Sequence, residues 1–311
     1  MNNKSMAVMA AMILILIPLS SVDTQAGAPR PQPPPLTPLA RTYVSGTGND
    51  TNPCTAAAPC ATFQAALALT LAGGEIFVLN SADYGPLTIN KAVTITSEGA
   101  VGGILAASGA AITVSAGASD VVSLRGLGLD GANTGTVGIQ FNSGKSLIVQ
   151  KTFVRNFKTS GISFAPNAAA TLFVSDTSLT NNATNGVFVS GGSAAVNGAL
   201  TRVIASGNGV GVLASGSGVS LAVTDSVANN NTYGIGASSS AVMVRNSTTS
   251  ANTVGINADQ SGAIVRVGQS TITANGTGWQ ATNSGQVQSY GNNNVGGNGT
   301  DGVATTSLAL Q

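Results

Sequence analysis

Short runs of alternating apolar and polar residues recur along most of this chain, and a glycine introduces each of them. The glycine is followed by Ile, Val or Trp, and the step recurs every 21 to 25 residues, at Gly138, Gly161, Gly186, Gly211, Gly234, Gly255 and Gly278. An alternation of period two predicts a β-strand with one buried face. A repeat of near-constant length in the twenties is typical of a solenoid, in which each repeat packs on its neighbours.

A second apolar alternation follows about ten residues after the first, as in Leu147 and Val149. No helical pattern separates the two, so each repeat holds two or three strands that stack on their equivalents one coil away. We therefore expect an all-β fold, a parallel β-helix of about nine coils, right-handed by the rule for parallel crossovers. The first strands of successive coils align at Val93, Val122, Leu147, Leu172, Asn197, Leu221, Val242, Val265 and Val287.

Asparagines mark the turns that precede the glycine steps by three to five residues. They are Asn156, Asn182, Asn208, Asn230, Asn252 and Asn275. Asn tolerates the left-handed backbone angles of a turn, and stacked Asn side chains hydrogen-bond along the axis of a ladder of strands. The sequence predicts an Asn ladder that stabilises the coils, in preference to a binding site built from these residues.

The N-terminal segments predict export from the cytoplasm. Residues 1–26 have the pattern of a secretory signal peptide, with Lys4 before an apolar core and Ala26 at the end of a small-residue cleavage site. Residues 27–40 are a Pro-rich linker, and residues 41–311 form a single β-helix domain. No second apolar stretch follows, so we expect a secreted or periplasmic protein without a membrane span in its mature chain.

The N-terminal edge of the domain carries the two cysteines and the one predicted helix. In an exported protein, two cysteines as close as Cys54 and Cys60 favour a disulfide. The Ala- and Leu-rich stretch Thr62–Leu71 predicts a short helix, and Glu75–Leu79 is the first predicted strand. A solenoid needs a cap over its open end, and this helix is the candidate for it.

The balance of charges argues against nucleic acid as a partner. The chain holds 12 Lys and Arg against 11 Asp and Glu, and it contains no His. A chain with this balance and no basic stripe has no electrostatic footprint for nucleic acid. The sequence also predicts no metal site and no cofactor, because two paired cysteines and scattered acids supply no ligand set.

The entry to the domain resembles that of secreted pectin-lyase-like proteins. The resemblance rests on the Cys-containing turn, the helix, the run Gly74 to Val78, Tyr84-Gly85 and Ile95. The later Asn-x-x-x-Gly-Ile repeats are similar to those of the right-handed parallel β-helix repeat family, and together they cover about residues 41–302. The resemblance implies a carbohydrate as ligand class. It implies no single activity, because the superfamily holds lyases, hydrolases, esterases, epimerases and members without known activity.

The acidic residues do not form a recognisable catalytic set. A lyase of this fold is expected to gather acidic calcium ligands, and a hydrolase needs two carboxylates beside one bond. No two acids lie at i and i+2 on one strand face of the mature chain. The best remaining cluster is Asp130, Lys151, Arg155 and Asp176, where a 25-residue offset places Asp130 beside Arg155 and Lys151 beside Asp176. Such stacked opposite charges are typical of surface ion pairs.

Three aromatic residues are candidates for stacking on sugar rings: Trp279, Tyr233 and Tyr290. Trp279 replaces the Ile or Val of the repeat, and we expect it to fill the core. Two functional hypotheses follow. The first is an exported, non-catalytic β-helix that serves as a structural or carbohydrate-binding module. The second is a polysaccharide-active enzyme, a lyase or hydrolase of acidic glycans, with an atypical site around Asp130, Lys151, Arg155 and Asp176.

Overall fold

The chain winds into a solenoid, and the strands of successive coils stack to form three parallel β-sheets. The computed structural model describes residues 37–191 and 194–309, so the predicted signal peptide and nearly all of the predicted linker lie outside the described residues. The sheets hold 12, 10 and 9 strands, and every strand pair is parallel. The predicted parallel β-helix is confirmed, and the ten strands of the second sheet mark about ten coils.

Each complete coil contributes one strand to each sheet, in the order A, B, C, and the extra strands of sheets A and B lie at the two ends of the solenoid. Sheet A contains Leu39–Val44, Thr70–Val78, Val93–Thr96, Val121–Arg125, Ser146–Gln150, Ala170–Ser175, Val196–Thr201, Val219–Thr224, Ala241–Arg245, Ile264–Gly268, Gln286–Ser289 and Thr306–Ser307. Sheet B contains Ala82–Asp83, Gly102–Leu105, Leu127–Asp130, Phe153–Arg155, Ser178–Thr180, Ile204–Ser206, Val227–Asn229, Thr248–Ser250, Thr271–Thr273 and Asn294–Val295. Sheet C contains Leu87–Ile89, Ala110–Ser115, Val137–Ser143, Ser160–Phe164, Asn185–Ser190, Val210–Ser215, Tyr233–Ser238, Val254–Asp259 and Thr277–Thr282.

The register of sheet A follows the predicted alignment except in one coil. The pairs run from Val93 through Val122 and onward to Val287 as expected. In the irregular coil, however, Gly198 and not Asn197 pairs with Leu172 and Leu221. A Cβ atom added to Gly198 would lie only 2.5 Å from the side chain of Leu221. The glycine therefore lets this coil keep its register beside a large neighbour.

The core tapers towards the C-terminal end of the solenoid. On sheet C the rings of Phe141 and Phe164 stack with centroids 4.4 Å apart. The same inward column continues through Val189 to four alanines, Ala214, Ala237, Ala258 and Ala281. Coil length does not follow this trend, because 23 residues separate Phe141 from Phe164 and 21 or 23 separate successive alanines. The taper therefore lies in the size of the side chains of this column.

The N-terminal edge is built from a strand, a helix and a disulfide. The first strand is Leu39–Val44, so the prediction that Glu75–Leu79 is the first strand was wrong. Those residues, except Leu79, form the end of the second strand, Thr70–Val78. The predicted helix spans Phe63–Leu69, and the Thr62 side chain accepts a hydrogen bond from the N–H of Ala65. No helix among the described residues is long and apolar enough to cross a membrane.

The disulfide between Cys54 and Cys60 is confirmed, and both residues are fully buried. It closes the loop that leads into the helix. Within that loop the Asp50 carboxylate accepts hydrogen bonds from the N–H groups of Ala61 and Thr62. The helix packs Phe63, a fully buried side chain, against the ring of Tyr84 at 5.0 Å. These contacts cover the first coils, as a solenoid end requires.

Candidate functional site

A ladder of buried asparagines runs through the turn between sheets B and C. The side-chain oxygen of each member accepts from the backbone N–H and the side-chain amide of the member one coil earlier. Asn231, for example, accepts from Asn208 at 2.9 and 3.2 Å. Each amide also donates to a backbone carbonyl, as Asn208 does to Leu179 at 3.0 Å. The members are Asn182, Asn208, Asn231, Asn252, Asn275 and Asn298.

Two asparagines assigned to this ladder from sequence lie outside it. Asn230 is exposed and precedes the true member Asn231, with φ at 56°. Asn156 has φ at 61° and donates its amide to Asp130, while Phe157 takes the ladder position and donates its N–H to Asn182. The turn needs one residue with positive φ and then one inward side chain, so an Asn suits either position.

Asp130 and Arg155 form the predicted ion pair at the ends of two neighbouring sheet B strands. Arg155 Nε lies 2.8 Å from Asp130 Oδ2, and the two residues pair in register. Burial raises the pKa of Asp130, but hydrogen bonds from the Ala132 N–H, Asn156 and Arg155 outweigh it and leave the pKa below its ordinary value. This carboxylate is held as an ionised structural acceptor.

Asp176 pairs with Arg202, so the expected pairing with Lys151 was wrong. Arg202 donates from Nε and Nη2 to the two carboxylate oxygens at 2.6 and 3.0 Å. This bidentate contact is the largest cause of the lowered pKa of Asp176, and the charge of Lys151 contributes least. A planar guanidinium matches both carboxylate oxygens, whereas an ammonium is a single point of charge.

The four predicted residues do not converge on one site. Asp176 and Lys151 belong to a corner column between sheets A and B, in which residues of successive coils have φ near +50°. The column contains Lys151, Asp176, Arg202, Asp225, Asn246 and Gln269. Asp130 and Arg155 lie beyond it at the far ends of their sheet B strands. The four residues are therefore divided between two places on the surface, where Asp130 binds Arg155 and Asp176 binds Arg202.

A groove that the sequence did not indicate lies on the outer face of sheet A. It encloses about 590 Å³ and is lined by Met243, Arg245, Arg266, Gly268, Gln269, Tyr290, Asn292, Leu308 and Ala309. We call it the sheet A groove. Met243 pairs with Arg266, and Arg245 pairs with Gly268, so the two arginines lie diagonally on adjacent strands. Both point outward because the alternating neighbours Val244 and Val265 fill the core.

The arginines of the sheet A groove carry charge that no carboxylate offsets directly. None of the four ion pairs among the described residues includes Arg245 or Arg266. Arg245 donates to the neutral Gln269 at 2.9 Å, and the N–H of Gln269 donates to Asn292. The nearby Asp225 accepts a hydrogen bond from Asn246 instead. The groove is thus basic, with amides and one tyrosine beside the two cations.

A shallower depression extends the groove along the solenoid axis. It shares Met243 and Arg266 with the sheet A groove and continues over small residues, Gly198, Ser220, Ala222 and Ala241. Beyond it, Phe173 is 49% exposed in the same outward column of the sheet. The outer face of sheet A therefore offers a track several coils long that ends at the two arginines.

Other predicted site residues have structural positions. Trp279 is buried and pairs with Ile256 on sheet C, as expected for a core residue. Tyr233 lies on sheet C, on the other side of the coil from the groove that Tyr290 lines. Across residues 37–191 and 194–309, no group of three or more His, Cys, Asp or Glu side chains is arranged to hold a metal ion.

Several solved structures share the coil architecture of this chain. No family model and no curated protein sequence matches the chain. An alginate lyase from Paenibacillus sp. str. FPU-7 is similar over 87% of this chain and 98% of its own, with a TM-score of 0.60 and 14% identity. Pectate lyase Pel9A is similar over 82% of this chain and 68% of its own, with a TM-score of 0.55 and 15% identity. The chain has the pectin-lyase-like β-helix fold.

A third similar structure is the A-module of the mannuronan C-5 epimerase AlgE4 from Azotobacter vinelandii. The likeness covers 77% of this chain and 91% of the A-module, with a TM-score of 0.50 and 14% identity. At this level of identity the likeness shows the fold of the pectin-lyase-like β-helices. The activity has to be argued from the residues of the site.

Proposed function

We propose that this protein is an exported polysaccharide-binding β-helix without catalytic activity of its own. In this proposal the sheet A groove holds an acidic polysaccharide that lies along the solenoid axis. The observation that carries the proposal is the pair of arginines, Arg245 and Arg266, which lie diagonally on adjacent strands of one groove and have no ion-pair partner among residues 37–191 and 194–309.

The chemistry of the groove suits a polymer with one carboxylate on each sugar. A guanidinium binds a carboxylate through two parallel hydrogen bonds, and such charge-assisted bonds are stronger than neutral ones. Tyr290 adds an aromatic ring with a polar tip, and Gln269 and Asn292 add amides that bond to hydroxyl groups. Strands that repeat every ~4.8 Å present these groups in a row, as an extended chain of sugars needs.

The three similar structures support an acidic polysaccharide as the ligand. They are named for pectate, alginate and mannuronan, all of which are polymers of uronic acids. The proposed export rests on the predicted signal peptide of residues 1–26. The buried disulfide between Cys54 and Cys60 is compatible with an oxidising compartment. N-terminal sequencing of the secreted protein tests this part, and a chain that still begins at Met1 would contradict it.

A second candidate is a lyase that works in the same groove and not at the cluster around Asp130. Two guanidinium groups on a uronate carboxylate would make the neighbouring C5–H bond more acidic. A base would take that proton, the electron pair would form the C4–C5 double bond, and the C4–oxygen bond would break as its oxygen gains a proton. Tyr290 favours this candidate because it lines the same groove as both arginines and carries a hydroxyl that can take or give a proton.

The decisive experiment compares binding and product formation in one series of variants. Oligogalacturonate and oligoalginate are titrated into the purified protein, into the double variant Arg245→Gln and Arg266→Gln, and into Arg155→Gln as a surface-arginine control. We expect the double variant to bind about ten- to a hundredfold more weakly and with a smaller dependence on salt. Arg155→Gln should bind like the wild type, because Arg155 lies on sheet B.

Two outcomes would decide against the preferred function. Equal binding by the double variant and the wild type would remove the sheet A groove as the binding site. Unsaturated product, seen by its ultraviolet absorbance and lost in Tyr290→Phe, would replace the binding module with the lyase. Binding without product, lost in the double variant alone, supports the proposal.

A further inference from the structure

A second pocket lies at the corner between sheets A and B, near the N-terminal end of the solenoid. It encloses about 510 Å³ and is lined by Ser97, Glu98, Gly99, Ala100, Val101, Arg125, Gly126, Leu127, Lys151 and Phe153. We call it the corner pocket. It shares no lining residue with the sheet A groove. The proposed function of that groove therefore leaves the corner pocket unexplained.

Phe153 forms an exposed aromatic wall of the corner pocket. It points outward from sheet B and is 39% exposed. The ring lies over Gly128 of the preceding coil, where an added Cβ would come within 2.3 Å of the ring. The glycine thus leaves room for the ring to lie against the sheet. Arg155, which does not line the pocket, holds its guanidinium 5.7 Å from the ring centre.

The charged side chains of the corner pocket are one carboxylate, Glu98, and two cations, Arg125 and Lys151. Arg125 Nε lies 3.3 Å from Glu98 Oε1, and Arg125 also donates to Gln150 at 3.4 Å. The second oxygen of Glu98 has no partner among the hydrogen bonds of the described residues, and this side chain is 61% exposed. Lys151 is in none of the four ion pairs among the described residues. The corner pocket therefore has a surplus of one positive charge, against two in the sheet A groove.

We propose that the corner pocket is a second carbohydrate site and that it takes a neutral pyranose ring stacked on Phe153. One face of such a ring carries C–H groups that pack on an aromatic ring, and its rim carries hydroxyls. Glu98 accepts hydrogen bonds from hydroxyls, and Arg125 and Lys151 donate to them. An aromatic platform beside a few polar groups that point to one spot is the usual form of a small-ligand site.

The two sites would recognise different parts of one glycan, or two different glycans. Arg245 and Arg266 form no ion pair within the described part of the chain and select carboxylates, whereas the corner pocket presents an aromatic ring beside Lys151 and the Arg125–Glu98 ion pair. Because the sites share no residues, each proposal fails or stands without the other.

The test measures binding of neutral tetrasaccharides in gluco, manno and galacto configuration by calorimetry and by saturation-transfer NMR. We expect at least one to bind, and Phe153→Ala to weaken that binding by tenfold or more. Phe188→Ala removes an outward, half-buried phenylalanine of sheet C, away from both sites, and should leave the binding unchanged. Gly128→Ala should also weaken it, because the added Cβ displaces the Phe153 ring.

The outcomes separate this proposal from the function proposed for the sheet A groove. Neutral binding that survives in Arg245→Gln and Arg266→Gln but is lost in Phe153→Ala supports the corner site. If none of the three tetrasaccharides binds, or if Phe153→Ala binds like the wild type, the proposal is wrong, whatever the acidic oligosaccharides do. Circular dichroism of each variant identifies any loss of fold.

Discussion

Asn230 and Asn231 are neighbours in the chain but have opposite surroundings. Asn230 is exposed and its side chain faces solvent, whereas Asn231 is 4% exposed and bonds in both directions along the ladder. The oxygen of Asn231 accepts two hydrogen bonds from Asn208, and its amide donates to Ala205 and to Asn252. Asn231 therefore contributes more to the stability of the turn than Asn230 does.

Replacing Asn231 with Ala should destabilise the protein by about 2 to 4 kcal/mol, since it leaves buried donors and acceptors of three neighbours without partners. Urea unfolding measures the change. The matched control is Asn230→Gly, which keeps the left-handed turn and should change stability by about 0.5 kcal/mol or less. Equal losses in the two variants would show that the ladder bonds do not stabilise the coils.

Arg202 and Asp176 allow a test of the corner column by titration. Arg202→Gln removes the largest cause of the lowered pKa of Asp176, so this pKa should rise towards its ordinary value of about 3.9. NMR titration of the Asp176 carboxyl carbon measures it, with Arg266→Gln as the control. A pKa that stays low in Arg202→Gln would mean that another group holds the carboxylate.

The same shift fixes the sign of the pH dependence. The folded pKa of Asp176 lies below its unfolded value, so its contribution to stability is present above about pH 4 and is lost as the pH falls through the folded pKa. The wild type should therefore lose more stability on acidification than Arg202→Gln. An equal acid loss in both proteins would contradict the pairing.

At the scale of the element, sheet C separates two kinds of phenylalanine. Phe164 points inward and stacks on Phe141, whereas Phe188 on the next strand points outward and is half-buried. Phe164→Ala should cost about 3 to 5 kcal/mol because it removes a buried ring that its neighbours cannot replace. Phe188→Ala should cost under about 1 kcal/mol. Urea unfolding of both variants checks the difference, and similar costs would be evidence against the assigned faces.

The sequence predicted the strands well because period-two alternation reports directly which face is buried. Its errors occur where spacing alone had to choose between neighbours. Most ladder asparagines lie three residues before the glycine of their coil, and by that spacing Asn231, not Asn230, is the ladder member. Asn182 lies four residues before its glycine, however, so the spacing alone did not decide between the two. Likewise, Asn197 fitted the repeat length, and only the register placed Gly198 in the core column.

The candidate site was harder to predict because its residues come from different coils. Arg245 and Arg266 are 21 positions apart and resemble the other scattered surface charges until the register places them diagonally on one face. A pattern of paired acids does not predict a groove that is lined by two arginines. The 25-residue offset correctly placed Asp130 beside Arg155 and Lys151 beside Asp176, but Asp176 forms its ion pair with Arg202, because reach and geometry decide which cation a carboxylate binds.

At the scale of the whole molecule, the taper of the core predicts a gradient of stability. A solenoid is stabilised by contacts between neighbouring coils, so each coil has its own opening free energy. Coils that bury Phe141 and Phe164 remove more apolar surface from water than coils that bury Ala237 and Ala258 at the same position. The C-terminal coils should therefore open more readily than the central ones.

Trp279 counteracts this gradient at the C-terminal end of sheet C. Its side chain is 7% exposed and stacks on Ile256 of the preceding coil, so one large residue covers the alanine-lined coils that precede it. Hydrogen exchange read by mass spectrometry should find faster exchange in Tyr233–Ser238 and Val254–Asp259 than in Val137–Ser143 and Ser160–Phe164.

In Trp279→Ala the exchange of Val254–Asp259 should rise by a further tenfold or more, because the loss of a buried Trp costs about 3 kcal/mol or more. The exchange of Val137–Ser143 should not change, since in a solenoid the effect reaches only neighbouring coils. Uniform acceleration along the chain would mean that the coils open as a single unit, and the taper would then have no bearing on which end opens first.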